Sequence, residues 1–556
     1  MKTTTKIFAL SLALVTYLQT QKMVAQSPTW QWAKSAGSTG SEAAMGTALD
    51  ASGNLYVIGW YTSINLTFGS ITLTNPGVGT GDIFLVKYDA TGNVLWAKTF
   101  GGTEGDIGNG IAVDASGNIY ITGWYASPTI NFGTTTLTNA GSASSDVFIV
   151  KLNPSGNEIW AKSVGGSATD RGYGITLDAS GNVFTTGGFS SATINFGSGN
   201  LTNAGATNDF FITKHDSNGN NLWAKNAGGT NADVGYSAAT DSLGNVYATG
   251  VFSSSSINFG LGALNNSTSG TQDIFVVKYN GSGTAVWSTR AGGSLDDTGN
   301  GIAVKKNSVF VTGGFSSASI TFAATSLNNN TTGTSDVFLT KFDLNGNMIW
   351  ANRYGDADSE AGNCVSTNAG GSAFVTGFYI SNSINFGSFS FTNPSPGYRD
   401  LFVTAHGPNG NVAWAATALG GSYDEVGNSI AVNNNGTEIY VGGMFNSPSV
   451  SFGANSIFKG CGDDVFVAKL LGSSSVGFKE EFIKNQLTVY PNPNEGKFTV
   501  NGDGQIILYN SLGEILLTEN LNSVNYFDFS SQAKGVYLYR VISEKKAVHT
   551  GRIIVN

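Results

Sequence analysis

Cysteine is almost missing from this sequence, with Cys364 and Cys461 the only two in 556 residues. No disulfide framework can hold such a chain, so packing must. Whether the two thiols pair is left open by the sequence. The repeat places both on one side of adjacent units, whereas a bridge needs Cα atoms within about 7 Å. Histidine is equally scarce. His215, His406 and His549 lie far apart, and no HExxH, paired-cysteine, GxSxG or Walker-type motif offers a start for metal, hydrolytic or nucleotide chemistry. Charged residues make up only 12% and sum to −9. Without a clustered Lys/Arg surface, a nucleic-acid backbone is a poor partner. Long apolar runs are lacking too. Ile7–Leu18 covers 12 residues and nothing later approaches 18 in a row, short of the roughly 20 that span a bilayer. With the basic start Met1–Lys6 and a small residue at Ala25, residues 1–25 read as a cleaved signal peptide.

Glycine is what abounds. Its 75 copies and 12% aromatics, with no Gly-X-Y period, describe tight turns between apolar β-segments in an all-β chain. Trp32, Trp96, Trp160, Trp223, Trp287, Trp350 and Trp414 lie 64, 64, 63, 64, 63 and 64 residues apart, so seven units follow one another without a gap. In the second unit GIAVDASGNIYITGWY and SDVFIVKLNPSGNEIWAKSVGG are two hairpins around Asn/Gly turns, four main strands in all. Strands such as NIYITG are apolar on both faces, as in sheets covered on both sides. A small residue recurs in each first strand, at Ala48, Ala112, Thr176, Ala239, Ala303, Ser366 and Ala431, as radially converging sheets require. The chain opens with a fourth-strand sequence, TWQWAKSAG, and the seventh unit stops after its third, DVFVAKLL. Together they complete one blade and close a seven-bladed β-propeller over residues 28–470.

These motifs resemble the SBBP-type propeller repeat, with its D-x-x-G-N-x-Y-x-T-G, F-G and D-x-F-x-x-K…G-N-x-x-W elements. That family is defined by its fold and implies no single activity. After a linker at 471–486, residues 487–556 carry Tyr490-Pro491-Asn492-Pro493, Gly496 with Phe498, Leu508-Tyr509-Asn510 with Gly513, Gly535-Val536-Tyr537 and Ile553-Ile554-Val555. In order and spacing they are similar to the type A C-terminal sorting domain of the type IX secretion system, on a small β-sandwich. The resemblance implies a Bacteroidetes-type exported protein that passes the periplasm and engages the type IX machinery. It would then be secreted, or held at the outer surface through lipopolysaccharide. A generic Ig-like adhesion domain is the alternative reading.

Two acidic sets recur in all seven units. Glu42, Asp106, Asp170, Asp233, Asp297, Glu360 and Glu425 fall where one blade crosses to the next, around one mouth of the channel. Such a ring could bind a hard cation such as Ca2+ or a basic ligand group. Alternatively each carboxylate accepts hydrogen bonds from amides of its crossing loop; repeat-wide residues usually maintain the repeat, which favours this second reading. Asp82, Asp146, Asp209, Asp273, Asp336, Asp400 and Asp464 precede the third strand, where an Asp commonly fastens a loop and Lys98 or Lys151 could neutralise it. Long polar loops bearing Phe68, Phe132, Phe196, Phe259, Phe322, Phe386 and Phe452 share that face. No unit gathers unlike groups as a catalytic centre needs. The sequence therefore points to a non-enzymatic binding or adhesion scaffold for a glycan or extracellular protein, without a cofactor. An exported polysaccharide hydrolase or lyase and a structural surface-layer component are the alternatives.

Overall fold

The computed structural model describes residues 28–77, 79–472, 488–492, 494–501, 504–510, 514–522, 524–542 and 548–555. The signal-peptide segment, nearly all of the linker, Pro493 and Gly513 lie outside them. The chain divides into two compact units, at Ser475 and Val476.

In the first unit the sequence Asp-x-x-Gly-Asn folds each hairpin. Asp114 Oδ1 accepts the amides of Ser116 and Asn118, both at 2.9 Å, and Gly117 takes φ +80°, a conformation open to glycine without strain. The second repeat forms an antiparallel sheet of Asp106–Val113, Ile119–Tyr125, Asp146–Leu152 and Glu158–Val164, each strand beside its sequence neighbour. Six repeats do this within themselves. In the seventh sheet Glu425–Val432, Glu438–Phe445 and Asp464–Leu471 take Thr29–Ala36 as their fourth strand, with Thr29 opposite Leu471 and Ala36 opposite Val465. The first strand of each sheet lies against that of the next, and the last against the first. The architecture is all-β and propeller-like.

The stretch between second and third strands holds a feature not anticipated from the sequence, a small two-stranded hairpin such as Thr129–Asn131 with Thr136–Thr138. Under it Phe132 packs on Phe100 and Phe148, at 5.0 and 5.1 Å between ring centroids. The core lies in layers between sheets. One layer joins Ile58 and Leu85 of the first sheet to Ile121, Phe148 and Val150 of the second, which is why both faces of these strands are apolar.

Neighbouring sheets are also clamped at the turn side. The indole of Trp223 donates to the Gly281 carbonyl in the next sheet's third-to-fourth-strand turn at 3.1 Å, Lys214 adds a second bond to the same oxygen at 3.3 Å, and Gly283 lies flat on the indole. The same indole-to-turn bond recurs from Trp32, Trp96, Trp160, Trp287 and Trp350.

The first strands of neighbouring sheets are also tied together at a β-bulge. Pairing with the second strand slips between Gly108 and Gly110, turning Asn109 out so that its amide donates to the Gly172 carbonyl of the next sheet at 2.8 Å. Asn300, Asn363 and Asn428 do likewise at 3.1, 3.1 and 3.0 Å.

The second unit holds one sheet of Thr488–Tyr490, Lys497–Asn501 and Val524–Asp528 and another of Ile515–Leu521, Gly504–Tyr509, Gly535–Ile542 and Val548–Val555. Phe498, Val500 and Phe527 from the first share a core with Ile506, Leu508, Tyr537 and Ile553 from the second.

Candidate functional site

The crossing-loop acids open the first strands and are fully or almost fully buried. Asp106 shows how. Its Oδ2 accepts the Gly102 amide and the Ser127 hydroxyl, each at 2.8 Å, and its Oδ1 the amides of Ala126 and Ser127 at 3.1 and 3.2 Å. Asp170, Asp233 and Asp297 repeat these four bonds on Ser191, Ser254 and Ser317. The three glutamates keep less of the pattern. Glu42 accepts the Ser63 hydroxyl, and Glu360 the amides of Asp356 and Ser381 at 3.2 and 3.1 Å. Neither oxygen of Glu425 makes a hydrogen bond of ordinary geometry. In the aspartate junctions both oxygens face N–H and O–H hydrogens, the reverse of what Ca2+ requires. Among the described residues no three His, Cys, Asp or Glu side chains converge to hold a metal ion.

The serine was missed in the sequence, although Ser63, Ser127, Ser191, Ser254, Ser317, Ser381 and Ser447 recur in every repeat. Its hydroxyl joins three segments, since Ser127 also accepts the Glu104 amide at 3.0 Å.

The second acidic set is equally buried. Asp146 and Asp209 fasten their incoming loops by accepting the amides of Ala140 and Ala204 at 2.8 Å. Lys98 and Lys151 do not neutralise them. Lys98 donates to Asn157 Oδ1 and Lys151 to the Ser217 carbonyl, while Lys87 and Lys214 pair with the turn acids Asp50 and Asp178, each at 3.4 Å, because the third strand carries its lysine to the opposite end of the sheet. Arg290 and Arg353 reach Asp273 and Asp336 at 2.8 Å.

The two sets meet across every junction. Asp82 faces Asp106, Asp146 faces Asp170, Asp209 faces Asp233, Asp273 faces Asp297, Asp336 faces Glu360, Asp400 faces Glu425 and Asp464 faces Glu42. Burial first, and then the facing carboxyl, push Asp82 and Glu360 up to about 7 and Glu425 to about 8. Burial likewise holds Asp106, Asp233 and Asp297 at about 6 despite their hydrogen bonds.

Cys364 lies in a first strand and Cys461 in a loop, and both are free thiols. In the second unit Asn492 ties the start of the module to its end. Its side-chain amide donates to the Arg552 carbonyl at 2.7 Å and its oxygen accepts the Ile554 amide at 2.8 Å. Gly496 donates to Asn494 Oδ1 at 2.7 Å, the Tyr537 hydroxyl donates to the Ala533 carbonyl, and Tyr490 is exposed beside Pro491. Gly535 opens the strand that ends at Ile542.

Repeated four-stranded sheets followed by a separate β-module define a propeller-like protein of two units. Residues 488–556 match the secretion system C-terminal sorting domain and residues 95–124 the β-propeller repeat. The chain therefore carries an SBBP-type β-propeller repeat and a type IX secretion sorting domain. That domain makes it a secreted or cell-surface protein that engages the type IX machinery.

Among curated proteins it is similar to an uncharacterised WD repeat-containing protein of Acanthamoeba polyphaga mimivirus, 23% identical over 76% of this chain and 36% of the relative. It is also similar to the regulatory protein FlaEY of Caulobacter vibrioides, 25% identical over 47% of this chain and 28% of the relative. It thus spans about a third of the length of these relatives. Among solved structures it resembles U3-55K, at 8% identity and TM-score 0.44, with 80% of this chain and 99% of that one covered. The Neurospora crassa Pan2 WD40 domain has 10% identity and TM-score 0.37, with 80% and 96% covered. Among the described residues no helix is long and apolar enough to cross a membrane.

Proposed function

We propose that the first unit is one closed seven-bladed propeller, that the second is a small β-sandwich acting as its export address, and that the propeller serves as a non-enzymatic binding scaffold through its long-loop face. The observation that carries this reading is the use made of the recurrent acids. In Asp106, Asp170, Asp233 and Asp297 both oxygens are occupied by amides and a serine hydroxyl that fasten the crossing loop to its sheet, so these regular polar groups serve the scaffold and not a reaction. Variable loops on a rigid frame are where recognition sits. Chain entry at Thr29 and exit at Leu471 are paired on the turn side, so the long-loop side carries neither. Delivery to the surface puts that side before extracellular ligands, with the module released or linked to lipopolysaccharide afterwards.

The experiment is a binding screen of the mature chain against extracellular polysaccharides and surface proteins, run with and without calcium, with product analysis of the same mixtures. Retention without new reducing ends supports the scaffold. Released sugars would replace it with a hydrolase or lyase.

A further inference from the structure

One junction breaks the repeat. From the ladder tryptophan to the crossing-loop acid there are 10 residues in six repeats but 11 from Trp414 to Glu425, and the extra residue bulges as Leu419, whose amide and carbonyl both bond to Ser451 at 2.9 Å. Large side chains stand exposed around this insertion, with Leu419 at 65%, Phe458 at 71%, Tyr398 at 43% and Tyr423 at 45%. The Tyr398 and Tyr423 rings meet edge to face at 5.4 Å and Lys459 sits over the Tyr423 ring at 5.8 Å. Arg399 and Asp424, which follow the two tyrosines, are joined from the Arg399 amide to Asp424 Oδ1 at 2.9 Å.

None of this follows from the repeat. At the position of Tyr398 other units carry Thr80, Ser144, Thr207, Thr271 and Thr334, and at that of Tyr423 they carry Glu104, Ala168, Asn231, Leu295 and Asp358. An aromatic pair placed in water at one junction out of seven does not help close the ring, and such a patch on an otherwise polar face marks a contact site.

We propose that Tyr398 and Tyr423 form the platform of a glycan site, on which a hexopyranose ring packs its C–H face while Lys459 and Asp424 hydrogen-bond to its hydroxyls. The proposal rests on the binding reading of the long-loop face and names its site and ligand class. Size favours a sugar over a protein. The four exposed side chains present on the order of 500 Å², below the roughly 800 Å² each partner contributes to a stable protein interface, and the surrounding Ser, Thr and Asn loops are polar. Chemistry favours it too, because both rings keep a hydroxyl, Lys459 brings an ammonium over one of them and Asp424 follows Tyr423 with a carboxylate, groups that suit equatorial hydroxyls.

The test uses the mature chain in affinity electrophoresis with laminarin, mannan, xylan, pectin and chitin oligosaccharides. The variants are Tyr398→Thr and Tyr423→Ala, alone and combined, each installing the residue of another repeat and so compatible with folding. Leu95→Ala on the outer rim is the control. We expect at least one glycan to retard the protein, with the double variant losing at least tenfold in affinity at unchanged Tm and the control unaffected. Retardation that survives the double variant overturns the site while the binding scaffold stands. No retardation by any glycan overturns the ligand class, and a protein ligand whose binding the double variant abolishes would move the platform to a protein interface.

Discussion

The hydroxyl of Ser127 donates to Oδ2 of Asp106 at 2.8 Å while accepting the Glu104 amide at 3.0 Å, so one buried oxygen joins the end of a second strand, the incoming crossing loop and the first strand of the same sheet. Ser127→Ala leaves the amide unpaired and the carboxylate one donor short. We expect a loss of about 1–3 kcal/mol, read as a lower denaturation midpoint with the same m-value. Asp106→Asn turns an N–H toward the amides that surround the carboxylate and is expected to cost at least as much.

The facing carboxyls give the propeller an unusual pH response. Their folded pKa values, about 6 for Asp106 and Asp146, about 7 for Asp82 and Glu42 and about 8 for Glu425, exceed the ordinary values of 3.8 and 4.5. The folded state therefore binds more protons than the unfolded state between these limits. The stability these carboxyls contribute is fully present below about pH 4 and is lost as pH rises through 6 to 8. Thermal unfolding followed from pH 5 to pH 9 should show Tm falling, and Glu425→Gln should flatten the upper part of that fall. A Tm that rises through this window would contradict the pairing.

A different contact fixes the turn side. Gly283 has φ +79° and rests on the Trp223 indole, so Gly283→Ala meets both a strained backbone and a filled space, with an expected loss of more than about 1 kcal/mol. Trp223→Ala removes the buried ring and its bond to Gly281, and roughly 3–5 kcal/mol is expected. Denaturant titration of the two single variants and the double variant should show strong non-additivity, because each substitution removes the same contact.

These relationships were unevenly legible in the sequence. The tryptophan ladder, the Asp-Gly-Asn turns and the phase of the first and last strands correspond to local chemistry repeated at fixed intervals, and they foretold the four-stranded sheets and the pairing of Thr29–Ala36 with Asp464–Leu471. The carboxylate partners were not legible, because Asp106 and Ser127 lie 21 residues apart and the acid facing Asp106 comes from the preceding repeat. The inserted Leu419 escaped for a simpler reason. It follows the last rung of the ladder, Trp414, and shows only as the 65-residue step from Glu360 to Glu425.

The sorting module offers a separate test. Asn492 bonds to both sides of Ile553, through the Arg552 carbonyl and the Ile554 amide, which explains why motif elements at opposite ends of the module belong together. Asn492→Ala removes both bonds, and we expect the protein to accumulate in the periplasm and disappear from the surface and medium, as measured by cell fractionation. Asn492→Asp keeps the acceptor but loses the donor and should be exported at an intermediate level.

Closure makes the last prediction. Thr29–Ala36 covers the edge of Asp464–Leu471 along its whole length, and Trp30 adds an indole bond to the Thr417 carbonyl of the preceding sheet at 3.2 Å. A chain lacking residues 28–36 leaves that third strand as a long apolar edge whose amides and carbonyls are open to pairing with another molecule. Size-exclusion chromatography should show oligomers where the full-length protein elutes as one species. Adding residues 28–36 as a peptide should restore it, since the missing interactions are those of a single strand. If the shortened chain stays monomeric with an unchanged Tm, the strand does not hold the ring closed.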